Sequence, residues 1–458
     1  MLVAVILAGP SRASEVADAV HVTPESFGLD VPSGPVSPGK DQCVLTRDAL
    51  GQEVVARVHV NVGDHRIVML PDGQLAARSI AEAPLTDRPF EPMTKEAIAE
   101  FLNESGSSGF KTKQTRRYLF AYNCSENFAE VTSRVLETMF RGVETYAQVQ
   151  KIDLHPPATP LVVIIFRTPA QFQEYRRMPE GIVAYYNVLT NRAVMYEESE
   201  LWRIKPELAI QQSISTIAHE GAHQILHNIG VQSRLSVWPM WLNEGLAEFF
   251  APTTTDRQLK WKGAGQVNDM RMFELEQYFK SRSEDDANGE LVAQTIGAAR
   301  LTSTGYASAW ALTHYLAKNH RTSFHGLVRE LSGLEPLEVL GPIVPPGVIP
   351  ENVNLFKKHF GEDLAETERR LLLHLKNLPY RDPFAEWPHF VAIVSIPAGR
   401  RFRREANVFH TPEQADRWCR EIVEQTPAEN RAKVQSTVRQ FPNRPLAERY
   451  ARQWLQGG

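Results

Sequence analysis

The sequence predicts an α+β protein in which regions rich in strands precede a long helical region. Apolar residues alternate along 53–80, a pattern typical of strands with one buried face. Residues 117–196 read as strand, helix, strand and hairpin, whereas 206–378 carry apolar residues at helical spacing. A separate segment, 384–458, follows this helical region.

The N-terminal part predicts a small β-rich module over residues 20–100. The apolar residues at 54, 56, 58, 60 and 62 share one strand face, and Gly63-Asp64 and Pro71-Asp72-Gly73 predict turns. The polar stretch 103–109 is interpreted as a linker.

A larger domain is expected over residues 115–380. Its first part predicts a strand at 117–122, a helix at 125–149, a buried strand at 161–166 and a hairpin at 185–196 that turns at Thr190-Asn191. Its second part predicts helices at 206–229, 240–250, 271–281, 305–318, 324–332 and 362–377, with a proline-rich loop, Pro342 to Pro350, before the last.

The segment 384–458 predicts a small α/β unit with two strand–helix repeats. Ala415-Asp-Arg-Trp418 recurs as Ala447-Glu-Arg-Tyr450, and each copy follows a strand-like run. A chance match remains the alternative over so few positions. The basic cluster Arg400-Arg-Phe-Arg-Arg404 is interpreted as a solvated face that could contact an anionic partner.

Composition excludes several classes of protein. The 458 residues suffice for two to four domains, and the net charge of −4 argues against a nucleic-acid-binding surface. Cys43, Cys124 and Cys419 form no Cys-x-x-Cys pair, so they are interpreted as isolated thiols. A bound metal would therefore need histidine and carboxylate ligands.

The first 13 residues resemble the end of a secretory signal peptide. Residues 2–8 are apolar, and small residues suit cleavage after Ala13. The usual basic start is missing, which suggests that the true start lies upstream of Met1. We expect export to the periplasm, the cell surface or the medium; a cytoplasmic protein with an N-terminal strand is the alternative. The next apolar run, 161–166, is too short to cross a bilayer.

The motif His219-Glu220-Gly221-Ala222-His223 carries the predicted chemistry. Since four residues make slightly more than one helical turn, both imidazoles leave one face of the helix and can bind one metal. Zinc would lower the pKa of a bound water to about 7, and Glu220 would take a proton from that water during attack on a carbonyl. Two surface histidines are the alternative, but the apolar flanks of the motif indicate a buried helix.

Glu244 is the predicted third ligand of one Zn²⁺ per chain. It follows His223 in a second helix, which an antiparallel arrangement would bring back across the motif. Glu248, one turn later, lies on the same face and would accept the outward N–H of a ligand histidine. Two histidines, one glutamate and a water form a catalytic zinc pattern.

His219-Glu-x-x-His223 followed by Trp241-Leu-Asn-Glu-Gly-Leu-Ala-Glu248 resembles the gluzincin zinc metallopeptidases, the peptidase MA-like clan of thermolysin and aminopeptidase N. Poorly characterised bacterial members share a motif similar to Tyr306-Ala-Ser-Ala-Trp310-Ala-Leu312. The resemblance covers about residues 115–335. It implies a thermolysin-like catalytic domain, with a small sheet on one side, a helical subdomain on the other and zinc between them.

The resemblance also implies an edge strand before the zinc helix that pairs with the substrate backbone, and 191–196 is in the expected place. In the aminopeptidases this strand carries Gly-x-Met-Glu-Asn, whose glutamate holds the substrate amino terminus. Met195-Tyr196-Glu197 does not reproduce that motif. An endopeptidase is therefore as strongly indicated as an aminopeptidase.

Tyr306 is predicted to stabilise the oxyanion of the transition state, because it follows Gly305 at a helix start. Core packing of Tyr306 and Trp310 is the alternative, and His314 and Tyr315 on the same helix are rival donors. His227 extends the histidine stripe. A metzincin would need its third histidine at position 229, which is Ile229, so His227 is interpreted as a helix-end histidine near exposed carbonyls.

The sequence thus predicts a zinc metallopeptidase that acts on a peptide or protein. The alternatives are a catalytically silent scaffold on the same fold and a zinc hydrolase of a non-peptide amide or ester. The two terminal modules could dock a protein partner; no nucleic-acid partner and no transmembrane segment are expected.

Overall fold

The computed structural model describes residues 22–104, 109–179, 181–198, 206–254, 260–339, 350–398 and 401–456. It is mixed α and β, as predicted, and it divides into two compact units, Met1–Leu378 and Pro379–Gly458. The predicted signal peptide, 1–13, and three of the four prolines of the predicted loop lie outside the described residues, as does Arg400 of the basic cluster.

The first unit begins with an antiparallel sheet. Its strands are β1 (Val36–Pro38), β2 (Cys43–Arg47), β3 (Glu53–Val62), β4 (His65–Met69), β5 (Leu75–Ser79) and β6 (Leu85–Thr86), in the order β5-β4-β3-β2-β6 with β1 also on β3. The predicted turn at Gly63-Asp64 joins β3 to β4, and Gly63 has a φ of 55°. Apolar residues of this sheet pack against Leu235 and Leu337, so the sheet shares a core with the helical region.

A second, five-stranded sheet lies next in the sequence. Its strands are β7 (Lys111–Gln114), β8 (Tyr118–Tyr122), β9 (Leu161–Phe166), β10 (Ala184–Asn187) and β11 (Arg192–Tyr196), in the order β10-β11-β9-β8-β7. The accompanying helices are α1 (Lys95–Glu104), α2 (Glu126–Val149) and α3 (Pro169–Tyr175). The predicted strands, the long helix and the hairpin are confirmed, whereas α1 covers the start of the predicted linker.

The prediction that 191–196 forms the edge strand is wrong. This segment is β11, which pairs with β10 on one side and with β9 on the other. The hairpin folds back through Asn191, whose φ is 58°, and this leaves the first strand of the hairpin, β10, at the edge.

The helical region contains α4 (Pro206–Asn228), α5 (Met240–Phe250), α6 (Asp269–Glu274), α7 (Glu276–Ser281), α8 (Glu290–Gly297), α9 (Ser303–Asn319), α10 (Arg321–Ser332), α11 (Pro350–Phe360) and α12 (Leu364–Asn377). Gly230, with a φ of 88°, follows the end of α4 as predicted. The helix predicted at 271–281 is interrupted at Leu275. Pro350, which the sequence predicts in a loop, instead starts α11, where its missing N–H leaves no helical hydrogen bond unmade.

Two glycines allow the helices of the motif to pack closely. A Cβ at Gly221 of α4 would lie 2.3 Å from Leu136 Cδ2 of α2. A Cβ at Gly245 of α5 would lie 2.1 Å from Thr313 Oγ1 and 2.7 Å from the Ala309 carbonyl oxygen, both on α9. The glycines of both motifs therefore have a packing role that the resemblance alone does not explain.

The second unit is a three-stranded antiparallel sheet with helices on both faces. It comprises β12 (His389–Ala398), β13 (Arg401–Phe409), α13 (Pro412–Gln425), α14 (Ala428–Arg431), β14 (Gln435–Phe441) and α15 (Arg444–Leu455), with the strand order β13-β12-β14. Alternate residues of β12 pack on α13 and on α15. A strand and a helix lie at each of the two predicted places, as β13–α13 and β14–α15, and β12 lies between the two strands.

Two further findings concern the chain as described. The three cysteines are free thiols, as predicted. Among the described helices, none is both long enough and apolar enough to span a bilayer.

Candidate metal centre

The two motif histidines lie on α4 beneath the second helix, α5. His219 and His223 are 6% and 4% exposed, and Glu244 of α5 is 4% exposed. Helix α4 packs closely on α2 through Gly221, and α5 packs closely on α9 through Gly245. These contacts hold α4 and α5 in position. The structure thus brings together the three predicted ligands.

Their donor atoms form a nearly equilateral triangle. His219 Nε2 lies 3.1 Å from Glu244 Oε2, His223 Nε2 lies 3.4 Å from the same oxygen, and the two Nε2 atoms are 3.3 Å apart. A tetrahedral zinc ion with bonds of 2.0–2.1 Å requires ligand atoms about 3.3–3.4 Å apart. These separations match one face of such a tetrahedron.

Hydrogen bonding alone explains this triangle less well. Hydrogen bonds between nitrogen and oxygen are usually 2.7–3.2 Å long, so only the contact of 3.1 Å is an ordinary one. The three atoms also lie within 3.4 Å of one another, close enough to share one bound ion. A cation satisfies all three at once, and the two nitrogens and one carboxylate oxygen suit zinc.

Glu248 lies on the outer side of His219, next to Nδ1, where the spacing places it. Its Oε1 lies 3.0 Å from His219 Nδ1. Arg271 Nη2 donates to the same oxygen at 2.6 Å, and Asn268 Nδ2 donates to Oε2 at 2.9 Å. The glutamate is 3% exposed, so its position is set by these three contacts rather than by solvent.

The charges of the site favour a cation at the triangle. Burial opposes the charged form of Glu244, but His223 and His219 outweigh it and hold its pKa well below the usual range. Burial acts likewise on Glu248, yet Arg271 and His219 lower its pKa to about 2. For His219, burial is outweighed by the carboxylates of Glu248 and Glu244, which raise its pKa to about 10. The carboxylates therefore stabilise positive charge here, whether it is carried by a proton or by a metal.

Glu220 is held against the edge strand of the five-stranded sheet. The backbone N–H of Tyr186 in β10 donates to Glu220 Oε2 at 2.8 Å. A buried amide network fixes this strand to α4: Tyr186 Oη donates to Asn191 Oδ1 at 2.9 Å, and Asn191 Nδ2 donates to Asn228 Oδ1 at 2.8 Å. The carboxylate thus faces the junction between α4 and β10.

Tyr306, on α9, lies beside the ligand His219 of α4. Its ring centroid is 6.1 Å from that of His219, and Arg271 Cζ lies 5.5 Å from the Tyr306 ring centroid. Burial, followed by the charges of Glu244 and Glu220, raises the pKa of Tyr306 well above its usual value. The phenol therefore keeps its proton and remains a hydrogen-bond donor.

The rival donors on α9 have other partners. His314 Nδ1 lies 2.9 Å from His374 Nε2, and its Nε2 lies 3.2 Å from the Gly265 carbonyl oxygen. Tyr315 Oη lies 3.0 Å from His320 Nε2. These contacts engage His314 with α12 and a loop, and Tyr315 with the end of α9, whereas the ring of Tyr306 contacts the ring of His219.

His227 and Glu197 are also accounted for by local structure. The ring of His227 stacks on Tyr186 with centroids 5.6 Å apart, and burial lowers its pKa to about 3. Glu197 accepts the N–H of Ser125 at 2.7 Å and the hydroxyl of Ser125 at 2.5 Å, at the start of α2. Neither side chain joins the ligand triangle.

A family model matches part of the chain. A family described as a protein of unknown function (DUF1570) matches residues 213–338, from the ligand helix to the end of the segment after α10. The match includes the three predicted ligands, Glu248 and Tyr306, and covers well under half of the chain. No curated protein matches this chain.

Three groups at the site were not predicted from the sequence: Arg271, Asn268 and the backbone N–H of Tyr186. Asn268 carries a detectable signal, because Asn-Asp before an apolar position is typical of a helix start, and its side chain does accept from the Arg271 N–H. Its second contact, with Glu248, depends on how the start of α6 meets α5.

Proposed function

We propose that this chain is a zinc-dependent metallopeptidase of the gluzincin type, with His219, His223 and Glu244 as ligands. The observation that carries the proposal is the triangle of donor atoms, with sides of 3.1, 3.3 and 3.4 Å. A bound zinc ion would supply a polarised carbonyl and a water whose pKa lies near 7. The description of the matched family adds no activity to this argument.

Glu220 acts as the general base in this proposal. Its carboxylate is buried next to His219 and is oriented by the Tyr186 N–H at 2.8 Å. It would accept a proton from the attacking water and pass that proton to the nitrogen that leaves. A structural metal site would not need a carboxylate at this position.

Tyr306 is the proposed electrophilic partner. Its phenol remains protonated because burial and the nearby carboxylates raise its pKa. A neutral O–H donor that approaches the substrate carbonyl oxygen stabilises the negative charge that develops there. Arg271 supports this role indirectly, since it contacts both the Tyr306 ring and Glu248.

The edge strand β10 favours an extended peptide as substrate. Among the described strands, β10 pairs with β11 alone, and the N–H of its Tyr186 donates to the Glu220 carboxylate. An extended chain can add to such an edge by backbone hydrogen bonds. The ligand helix α4 contacts β10 and β11 of the five-stranded sheet and also the helix α5, which supports the proposal of a catalytic domain with a sheet and a helical subdomain around the metal site.

The absence of an aminopeptidase motif bears on the type of peptidase. Glu197 is the carboxylate nearest in sequence to the expected position, and it is engaged with Ser125 at the start of α2. An endopeptidase therefore agrees better with the structure, and peptides with acetylated amino termini should be cleaved.

The decisive experiment uses Glu220→Gln, which preserves volume and removes the base. Wild-type protein and variant are incubated with a mixed library of free and acetylated peptides, with and without a chelator. We expect the variant to retain zinc and lose cleavage by roughly 10²–10⁴-fold. The control is Glu368→Gln, a fully buried glutamate on α12 that accepts from Tyr278.

The outcomes separate the proposed activity from its alternatives. Undiminished cleavage by Glu220→Gln would rule out the proposed mechanism. Zinc binding without cleavage of any peptide would favour the scaffold, and turnover of an ester or amide panel alone would favour a non-peptide hydrolase. Export, the location predicted from residues 1–13, is tested separately by fractionating cells that express the full chain.

A further inference from the structure

A second cluster of metal-binding residues lies in the C-terminal unit. Asp382, His389 and His410 each offer one ligand atom, and these atoms all lie within 4.8 Å of one another. His389 begins β12, and His410 directly follows β13. Since Phe390 pairs with Phe409, the two histidines are the next neighbours across the ladder, and their ring centroids are 4.4 Å apart.

The backbone of Trp387 determines which ring nitrogen of His389 carries the proton. His389 Nδ1 lies 2.8 Å from the Trp387 carbonyl oxygen, which can only accept a hydrogen bond, so Nδ1 carries a proton. In the neutral ring Nε2 then presents a lone pair. A ligand histidine is typically oriented in this way, with its other nitrogen bonded to a backbone carbonyl.

That lone pair has no hydrogen-bond partner within the described part of the chain, although His389 is only 1% exposed. A carboxylate oxygen, Asp382 Oδ2, lies 4.0 Å away and is itself an acceptor. A protonated Nε2 would be too far from this oxygen for a hydrogen bond. A cation between the buried His389 Nε2 and this carboxylate oxygen would give both atoms a partner.

Asp382 is already oriented by two donors. The Phe384 N–H donates to Oδ1 at 2.8 Å, and Arg444 Nη1 donates to Oδ2. Each oxygen keeps a second lone pair, and ligating carboxylates are commonly held by such outer contacts. The positive charge of Arg444 is shared with Glu448, whose Oε1 accepts from Arg444 Nε at 2.8 Å.

We propose that Asp382, His389 and His410 bind a second zinc ion. Two imidazoles and one carboxylate are a zinc donor set. The separation of 4.0 Å exceeds the spacing of about 3.3–3.4 Å in a closed site. Asp382 lies in the turn before β12 rather than in a strand. This turn can therefore move towards His389 when the ion binds, which would shorten the separation.

The proposed ion fastens the segment before β12 to the end of β13. The unit Pro379–Gly458 is small, and its two apolar clusters consist mainly of alanine, valine and isoleucine. Small units with limited cores commonly gain stability from a structural metal. This inference does not depend on the proposed peptidase activity, because the residues belong to another unit.

The test counts zinc in the full-length protein. Protein equilibrated with Zn²⁺ and dialysed is analysed for zinc per chain, as wild type, His410→Gln, Glu244→Gln and the double variant. We expect two ions in wild type, one in each single variant and none in the double variant. His65→Gln is the control: it removes a histidine of β4 that is hydrogen-bonded to Asp64, and this variant should retain two zinc ions. Circular dichroism verifies that each variant is folded.

These outcomes distinguish failure of the proposed second zinc site from failure of the first. One ion in wild type and none in Glu244→Gln would overturn the second site and leave the first. One ion that disappears in His410→Gln but persists in Glu244→Gln would support the second site alone. If His410→Gln fails to fold, thermal unfolding of Glu244→Gln replaces it: Zn²⁺ should raise the melting temperature of that variant, and no shift would refute the proposal.

Discussion

Glu248→Gln is the substitution that probes the candidate centre most selectively. Glu248 does not belong to the triangle, but its Oε1 lies 3.0 Å from His219 Nδ1. The replacement keeps the side-chain volume and removes the charge that orients the imidazole. Partners of this kind usually contribute 10–100-fold in metal affinity, so we expect the Kd for zinc to rise by about 10–100-fold, or about 1.4–2.7 kcal/mol.

The structure supplies a matched control in Glu274→Gln. Glu274 also pairs with Arg271, through contacts of 2.8 and 3.0 Å to Nη1, but no contact joins it to His219 in the described structure. Its loss should change the Kd less than about threefold. Competition titration with a chromophoric chelator measures both variants. An unchanged Kd for a folded Glu248→Gln protein would refute the role assigned to this carboxylate.

The remaining predictions concern other parts of the site and the core. Glu244→Ala should lose the first zinc ion, measured by metal analysis of a His410→Gln background; unchanged occupancy would mean that the third ligand is misidentified. Tyr306→Phe should lower kcat by roughly 10²–10³-fold with little change in KM. A fall in kcat accompanied by a comparable rise in KM would instead indicate a packing role. Gly245→Ala should destabilise the protein by about 1–3 kcal/mol, because its Cβ meets Thr313 Oγ1 at 2.1 Å, whereas Gly333→Ala meets only the Glu330 carbonyl oxygen at 3.4 Å and should be nearly neutral in thermal unfolding. Burial lowers the pKa of His59 to about 4, so between pH 6.5 and about 4 the unfolded chain binds a proton at His59 and the folded protein does not. The free energy of unfolding should therefore fall as the pH drops through this range. A folded His59→Gln variant with the same dependence of unfolding free energy on pH would contradict this.

Much of the candidate site could be predicted because its residues lie on regular elements with known spacing. His219 and His223 share a face because they are four residues apart on one helix. Glu244 and Glu248 follow on a helix whose bounds, Met240–Phe250, agree with the prediction. An antiparallel pair of helices then leaves little freedom in where these side chains meet.

The remaining contacts depend on packing between distant segments. Arg271 reaches Glu248 from α6, and no spacing in the sequence relates the two residues. The donor to Glu220 is a backbone N–H, which every residue except proline carries, so Tyr186 has no recognisable signal. The sequence also located the hairpin but not its order in the sheet, because either of its strands could have paired with β9.

The most direct measurement is a crystal structure of the zinc-loaded protein with anomalous data at the zinc edge. The account predicts a peak about 2.0–2.2 Å from His219 Nε2, His223 Nε2 and Glu244 Oε2, with Glu220 outside bonding distance. A saturated crystal without a peak at this triangle, or with the ion bound through Glu220 instead of Glu244, would contradict the account.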